Sequence, residues 1–264
     1  MSWVGKSLIA RLDILSEPGV LRGLRPLIRL KPRSSKRSWV KIIKAKLFLN
    51  YTKMAKASVV LSFHDILLHR SDIELLEGPH WLNDTIISFY FEYLEKVVFS
   101  KESDLLFVSP EVTQCIKMVQ TEEIKTFLEP LHVNLKKFVF FALNDNNTPD
   151  MAGGSHWSLL VYSRPENCFF HLDSSQATNH DVAWEFASHI MSYLAKGGSI
   201  NFVDKECIQQ SNGYDCGIHV IINAERLAEY SCIHRNMGSC NMLTKINPNA
   251  KRKEIKKIIQ NLSH

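Results

Sequence analysis

Residues 153–175 read GGSHWSLLVYSRPENCFFHLDSS. Two short apolar runs, Trp157 to Tyr162 and Cys168 to Leu172, are rich in β-forming residues and bounded by turn residues. That pattern predicts two buried strands. Phe138 to Leu143 (FVFFAL) predicts another, and Ile200 to Val203 one more. On either side the period changes to helical. Ile86, Phe89, Tyr90, Tyr93, Leu94 and Val97 recur on one face, with Asn83 or Asp84 as N-cap. Ser109-Pro110-Glu111 opens a second helix and Thr121-Glu122-Glu123 a short third that stops near Pro130. His180 to Lys196 is helical until Gly197-Gly198 stops it. Cys216 to Leu227 reads as a buried helix and Ile255 to Leu262 as a C-terminal amphipathic one. Helices, a strand-rich centre and further helices make an α+β fold.

Composition narrows the classes. Of 264 residues 45% are apolar and 22% charged, which excludes collagen-like and fully disordered chains. No run of about 18 apolar residues occurs. Six cysteines are too sparse for a disulfide scaffold, and Lys6, Arg11 and Asp13 interrupt any signal-peptide core. The expectation is a reducing, intracellular setting with free thiols. Charge is uneven. Residues 1–53 carry 13 Lys and Arg against Asp13 and Glu17, a net +11, whereas residues 54–264 carry −6. The first segment is read as a basic, disordered extension and the second as one domain. A transit peptide, a nucleic-acid or nuclear-import patch at KPRSSKR (Lys31 to Arg37), and a natural start at Met54 are the other readings of the extension.

The chemistry concentrates at element ends. Gln209 to Gly217 reads QQSNGYDCG, a polar loop running straight into the apolar helix. Cys216 then stands at a helix N-terminus, where the dipole and unpaired N–H groups favour a thiolate. Gly217 permits close approach to the sulfur. Gln210 offers an amide donor to an oxyanion. A nucleophilic cysteine needs a base and an orienting carboxylate. His156 starts one strand and Asp173 ends the next, so neighbouring strands bring both to one sheet edge. Two rival readings use the same region. His219 lies one turn after Cys216 on the same face. A metal site could draw on His156, His171 and Asp173, without support from any CxxC or HExxH pattern. No cofactor is expected. Cys232 and Cys240 are read as structural.

WLND with its helix (Trp81 to Tyr90), GGSHWSLLVY (Gly153 to Tyr162), FFHLDSS (Phe169 to Ser175) and QQSNGYDCG resemble the sentrin/SUMO-specific cysteine proteases of the Ulp type. The resemblance runs from about Val59 to the C-terminus. VVLSFHDILLHRSDIELLEGPHWLND, SPEVTQ (Ser109 to Gln114), FLEPL (Phe127 to Leu131) and FALNDN resemble its deneddylase branch. The resemblance implies a papain-like fold of the Ulp type, a mixed sheet flanked by helices, and residues 54–264 as the protease domain. It implies Cys216 as nucleophile, His156 as base, Asp173 as orienter and Gln210 as oxyanion donor, the set that the residues themselves suggest. It further implies that Trp81 and Trp157 enclose the substrate tail and that Asp84 meets an arginine of the modifier. The alternatives are core tryptophans and a helix cap.

The implied reaction is cleavage after the C-terminal Gly-Gly of a ubiquitin-like modifier. The neddylation modifier is the expected partner, released from conjugates such as cullins or matured from its precursor. The enzyme is expected to be a monomer of cytoplasm and nucleus, without a membrane or nucleic-acid partner. The rivals are a SUMO-directed isopeptidase or deubiquitinase of the same fold, a non-catalytic modifier-binding module, and a nucleic-acid binder working through the basic arm.

Overall fold

The computed structural model of the chain describes residues 59–148, 153–194, 199 and 201–263. The expectations for residues 1–53, KPRSSKR and Met54 included, and for the Gly197-Gly198 stop lie outside them. The described chain opens with an antiparallel hairpin, β1 (Val59–Phe63) and β2 (Ile66–His69), followed by α1 (Arg70–Glu74) and α2 (Asp84–Tyr93). A π-turn at Leu94–Val98 extends α2. Then come β3 (Leu105–Val108), α3 (Pro110–Met118), α4 (Ile124–Leu128), β4 (Phe138–Asn144), β5 (Trp157–Ser163) and β6 (Cys168–Leu172). The chain closes with α5 (His180–Leu194), β7 (Asn201–Asp204), α6 (Cys216–His234) and α7 (Pro248–Leu262).

Strands β3 to β7 form one sheet in sequence order. The outer pairs, β3 with β4 and β6 with β7, are parallel, and the two inner pairs are antiparallel. The expected mixed sheet flanked by helices is therefore present. Its central strands are apolar without alternation because both faces are covered. Phe138, Phe140, Ala142, Leu159, Val161 and Phe170 face a core shared with α2, α6 and α7. Val139, Phe141, Leu143, Leu160, Tyr162 and Phe169 face a second core closed by α3, α4 and α5.

Local chemistry sets the element ends. Asn83, not Asp84, caps α2, its side chain accepting the Ile86 N–H at 3.1 Å. Ser109 caps α3, with Pro110 in its first turn. Thr121–Glu123 forms a 3₁₀ turn, and the short third helix proper starts at Ile124. Helix α7 begins at Pro248 behind an Asn247 cap, seven residues before the apolar pattern becomes visible at Ile255.

Candidate active site

Strands β5 and β6 are antiparallel, with Leu159 opposite Leu172. Residue 156, just before β5, and residue 173, just after β6, therefore share one sheet end. Helix α6 packs against β5 and presents its first residue, Cys216, to that end. His156 and Asp173 are each 6% exposed and Cys216 is 2% exposed. The imidazole Nε2 of His156 donates to Asp173 Oδ1 at 2.5 Å. His156 also hydrogen-bonds Cys216, for which Nδ1 is the nitrogen left. The three predicted residues thus stand in a row, with histidine in the middle.

Electrostatics follow from this row. Burial alone would strip the proton from His156, but the hydrogen bonds and charges of Asp173 and Cys216 outweigh it and raise its pKa to about 9. Burial would likewise favour a neutral Asp173. Instead the His156 bond and two backbone N–H groups hold its carboxyl below the usual range. Those donors are Asn179 N–H to Oδ2 and Ser175 N–H to Oδ1, each at 2.8 Å. A buried carboxylate that accepts three N–H donors in this way is a fixed anion.

Asp145 is a further residue of the site, outside the set that the sequence points to. Its carboxylate accepts the N–H groups of Ser155 at 2.6 Å and His156 at 3.1 Å, and the Ser155 hydroxyl at 2.7 Å. It clamps the loop that delivers His156. Gly154 lies there at φ +90°, and a Cβ would fall 1.8 Å from Asn144 Oδ1, so only glycine fits.

The other predicted positions separate. His219 is buried, its Nδ1 has no hydrogen-bond partner, and it bonds the backbone of Ile208 rather than a carboxylate. Burial lowers its pKa and keeps it neutral. The rival base thus makes no hydrogen bond to Cys216 or Asp173. Gln210 donates to Asn212 O at 2.7 Å and accepts from the Ser174 hydroxyl at 2.7 Å, which fixes it in the loop before Cys216. Gly217 does admit close approach, but by Leu82, whose Cβ would lie 3.0 Å from an added Cβ.

The grouping of His156, His171 and Asp173 as metal ligands is not formed. His171 turns instead to Asp204 Oδ1 at 2.7 Å, and His180 takes Asp204 Oδ2 at 2.6 Å. Among the described residues that trio is the one group spaced to hold a metal ion. Both imidazole Nδ1 atoms are already engaged by its carboxylate. All six cysteines carry free thiols.

A cavity of about 680 Å³ opens onto Cys216 and His156. Trp81, Trp157, Asp84 and Glu111 also line it. Trp81 is half exposed and its indole N–H bonds Gly213 O, while Trp157 is half buried and its N–H bonds Leu82 O at 3.1 Å. The two indoles are therefore tied to the loops beside the nucleophile and are not simply core filling. Asp84 is exposed and lines the cavity; Asn83 is the N-cap of α2, while one Asp84 carboxylate oxygen accepts the first-turn Thr85 N–H at 2.9 Å.

Residues 80–262 match the Ulp1 protease family, C-terminal catalytic domain. Sentrin-specific protease 8 of Rattus norvegicus is 44% identical over 208 residues, covering 78% of this chain and 95% of that one. NEDD8-specific protease 1 of Arabidopsis thaliana is 36% identical over 176 residues, covering 65% and 76%. The fold is similar to the C-terminal Ulp1 protease domain solved in complex with Smt3, the yeast ortholog of SUMO. There the TM-score is 0.63 at 19% identity, over 78% of this chain and 89% of that domain. With a cysteine, a histidine and a carboxylate aligned at the mouth of a tryptophan-lined cavity, the chain belongs to the Ulp1 family of cysteine proteases.

Proposed function

We propose that this protease cleaves after the C-terminal Gly-Gly of the neddylation modifier, freeing it from lysine conjugates and maturing its precursor. The single observation that carries the reading is the Cys216–His156–Asp173 row opening onto a cavity walled by Trp81 and Trp157. Two indoles facing a thiol leave room for a backbone without side chains, so a Gly-Gly tail is selected by exclusion of bulkier ones. The relative at 36% identity is named as NEDD8-specific, which supports the neddylation modifier as the protein gripped outside the cavity.

The Cys216 thiolate attacks the carbonyl carbon of the terminal glycine. Negative charge moves to the carbonyl oxygen, which the first-turn N–H groups of α6 receive, together with the Gln210 amide. As the tetrahedral intermediate collapses, imidazolium His156 gives its proton to the departing lysine amine and leaves a thioester. Water then loses a proton to His156, attacks the thioester, and releases the free modifier carboxylate and the thiolate. Asp173 holds the imidazole in register and stabilises its protonated form throughout. Asp84 offers its carboxylate to a basic residue of the incoming tail.

The test compares C-terminal precursors of the neddylation modifier, SUMO and ubiquitin as substrates. The reading expects kcat/KM for the first to exceed the others by at least about two powers of ten, roughly 3 kcal/mol of transition-state discrimination. Equal or faster cleavage of SUMO or ubiquitin would leave the protease intact and reject the specificity.

A further inference from the structure

Arg252 is the one buried Lys or Arg among the described residues, 3% exposed and far in sequence from the catalytic row. Its guanidinium donates from Nε and Nη2 to Asp215 Oδ1, at 3.0 and 2.8 Å. The same group donates to Leu75 O at 2.7 Å, to His80 O at 2.8 Å and to Tyr214 O at 3.4 Å. Two of these acceptor residues adjoin functional groups. Asp215 immediately precedes Cys216, and His80 immediately precedes Trp81. Asp215 passes the link onward. Its Oδ2 accepts from Asn212 at 2.8 Å, and the Asn212 carbonyl accepts from Gln210. One planar cation therefore ties together the nucleophile's helix start, the loop of Gln210 and the loop of Trp81.

We infer that Arg252 is a positioning residue for the reaction, acting on Cys216 through Asp215. Asp215 is the N-cap of α6, yet it makes no side-chain cap hydrogen bond. Its carboxylate is turned to Arg252 instead, with both partners about 5% exposed. Buried charge of this kind is tolerated only when paired and hydrogen-bonded, and removing one partner strands the other. A stranded Asp215 would set an uncompensated negative charge beside Cys216 and oppose charge on the sulfur. A lysine cannot substitute, because it lacks the planar fork that meets a carboxylate and two carbonyls together.

The other reading is a plain staple that fastens α7 to the body. Helix α7 has independent anchors for that. Ile255 and Ile259 are buried in the core, and Lys251 pairs with Glu225 at 2.6 Å. The two readings differ in what a second substitution at Asp215 does. If Arg252 only staples, removing the carboxylate as well repairs nothing. If it acts through Asp215, neutralising that residue restores the thiol.

The inference rests on Cys216 being the nucleophile, and the experiment separates the two. The rate of iodoacetamide alkylation at Cys216 is followed by peptide mass spectrometry, with kcat and KM on a modifier precursor and thermal unfolding in parallel. Arg252→Met should slow both alkylation and kcat by about tenfold or more, while KM and modifier binding in a Cys216→Ala background stay within about threefold. The double variant Arg252→Met/Asp215→Asn should recover most of the alkylation rate. Wild-type alkylation in Arg252→Met, or a double variant as slow as the single one, overturns the inference. Should Arg252→Met fail to fold, Arg252→Lys decides: slowed alkylation at unchanged KM supports the inference, and a wild-type rate overturns it. Turnover persisting in Cys216→Ala would instead refute the catalytic reading itself.

Discussion

Replacing Asp173 by asparagine keeps the shape of the row and removes its fixed charge. In the native site Oδ1 accepts from His156 and from Ser175 N–H, and Oδ2 accepts from Asn179 N–H. An amide has one oxygen. If it faces His156, its NH₂ meets the Asn179 N–H, donor against donor; if it flips, the NH₂ meets His156. A buried N–H left unsatisfied costs about 1–3 kcal/mol, so a melting temperature several degrees lower is expected. The larger effect is on protonation. His156 loses its proton near pH 9 rather than 6.5 because Asp173 and Cys216 favour the charged ring. That difference has a ceiling of about 3 kcal/mol, shared between the two partners, at about 1.4 kcal/mol per power of ten. Because the folded value is raised, this stabilisation is complete below about pH 6.5 and fades as pH rises through about 9. The alkaline limb of kcat/KM reports the same proton. In Asp173→Asn that limb should move down from near 9 toward 7, and the rate at pH 8 should fall about 10- to 100-fold. The assay is a pH–rate profile on a fluorogenic modifier substrate, with thermal unfolding at each pH. An alkaline limb that stays near 9 in the variant would refute Asp173 as the source of the raised proton affinity.

Other perturbations give distinct outcomes. His156→Ala should lower kcat by about two to four powers of ten, the usual share of general acid–base catalysis, whereas His219→Gln should lose stability and keep kcat within about threefold; equal kinetic losses would make the base assignment wrong. Gly217→Ala places a Cβ 3.0 Å from Leu82 Cβ, next to Trp81 and under the Trp157 N–H bond. Overpacking of about 1–3 kcal/mol falls on the first turn of α6, so stability should drop by about that much while kcat/KM drops about tenfold, and unchanged kinetics would refute the coupling of Leu82 to the cavity. Changing the modifier's penultimate glycine to alanine should cost about one to two powers of ten in kcat/KM, and Trp157→Ala should shrink that penalty while lowering activity; a wild-type rate on the alanine tail would remove the case for a Gly-Gly filter.

The runs FVFFAL, WSLLVY and CFFHL were legible as strands because both faces of the sheet are covered, which makes them apolar throughout. His156, Asp173 and Cys216 were legible because each stands where an element begins or ends. The hairpin β1–β2 was not, since only Leu61 of VVLSF is buried and its neighbours decide its state. Asp84 was a candidate cap because Asn and Asp are both good ones; the packing of Asn83, whose amide also donates to Asp72 at 2.8 Å, decides between them. The start of α7 is masked by the polar run NAKRK, although Asn247-Pro248 is a cap signal. Arg252 is masked by the same run. A charged residue in a basic stretch reads as solvated, and its burial depends on Asp215, Leu75 and His80, which only the tertiary fold brings to it.

The central claim is that Cys216, in the row with His156 and Asp173, attacks the terminal glycine of the neddylation modifier. The most direct measurement is reaction with that modifier bearing a C-terminal vinyl sulfone, in parallel with SUMO and ubiquitin probes, followed by mass mapping of the modified residue. The account predicts a one-to-one adduct with the neddylation probe on Cys216, absent from Cys216→Ala and strongly slowed in His156→Ala. An adduct on another cysteine, an adduct that survives in Cys216→Ala, or faster labelling by the SUMO or ubiquitin probe would contradict it.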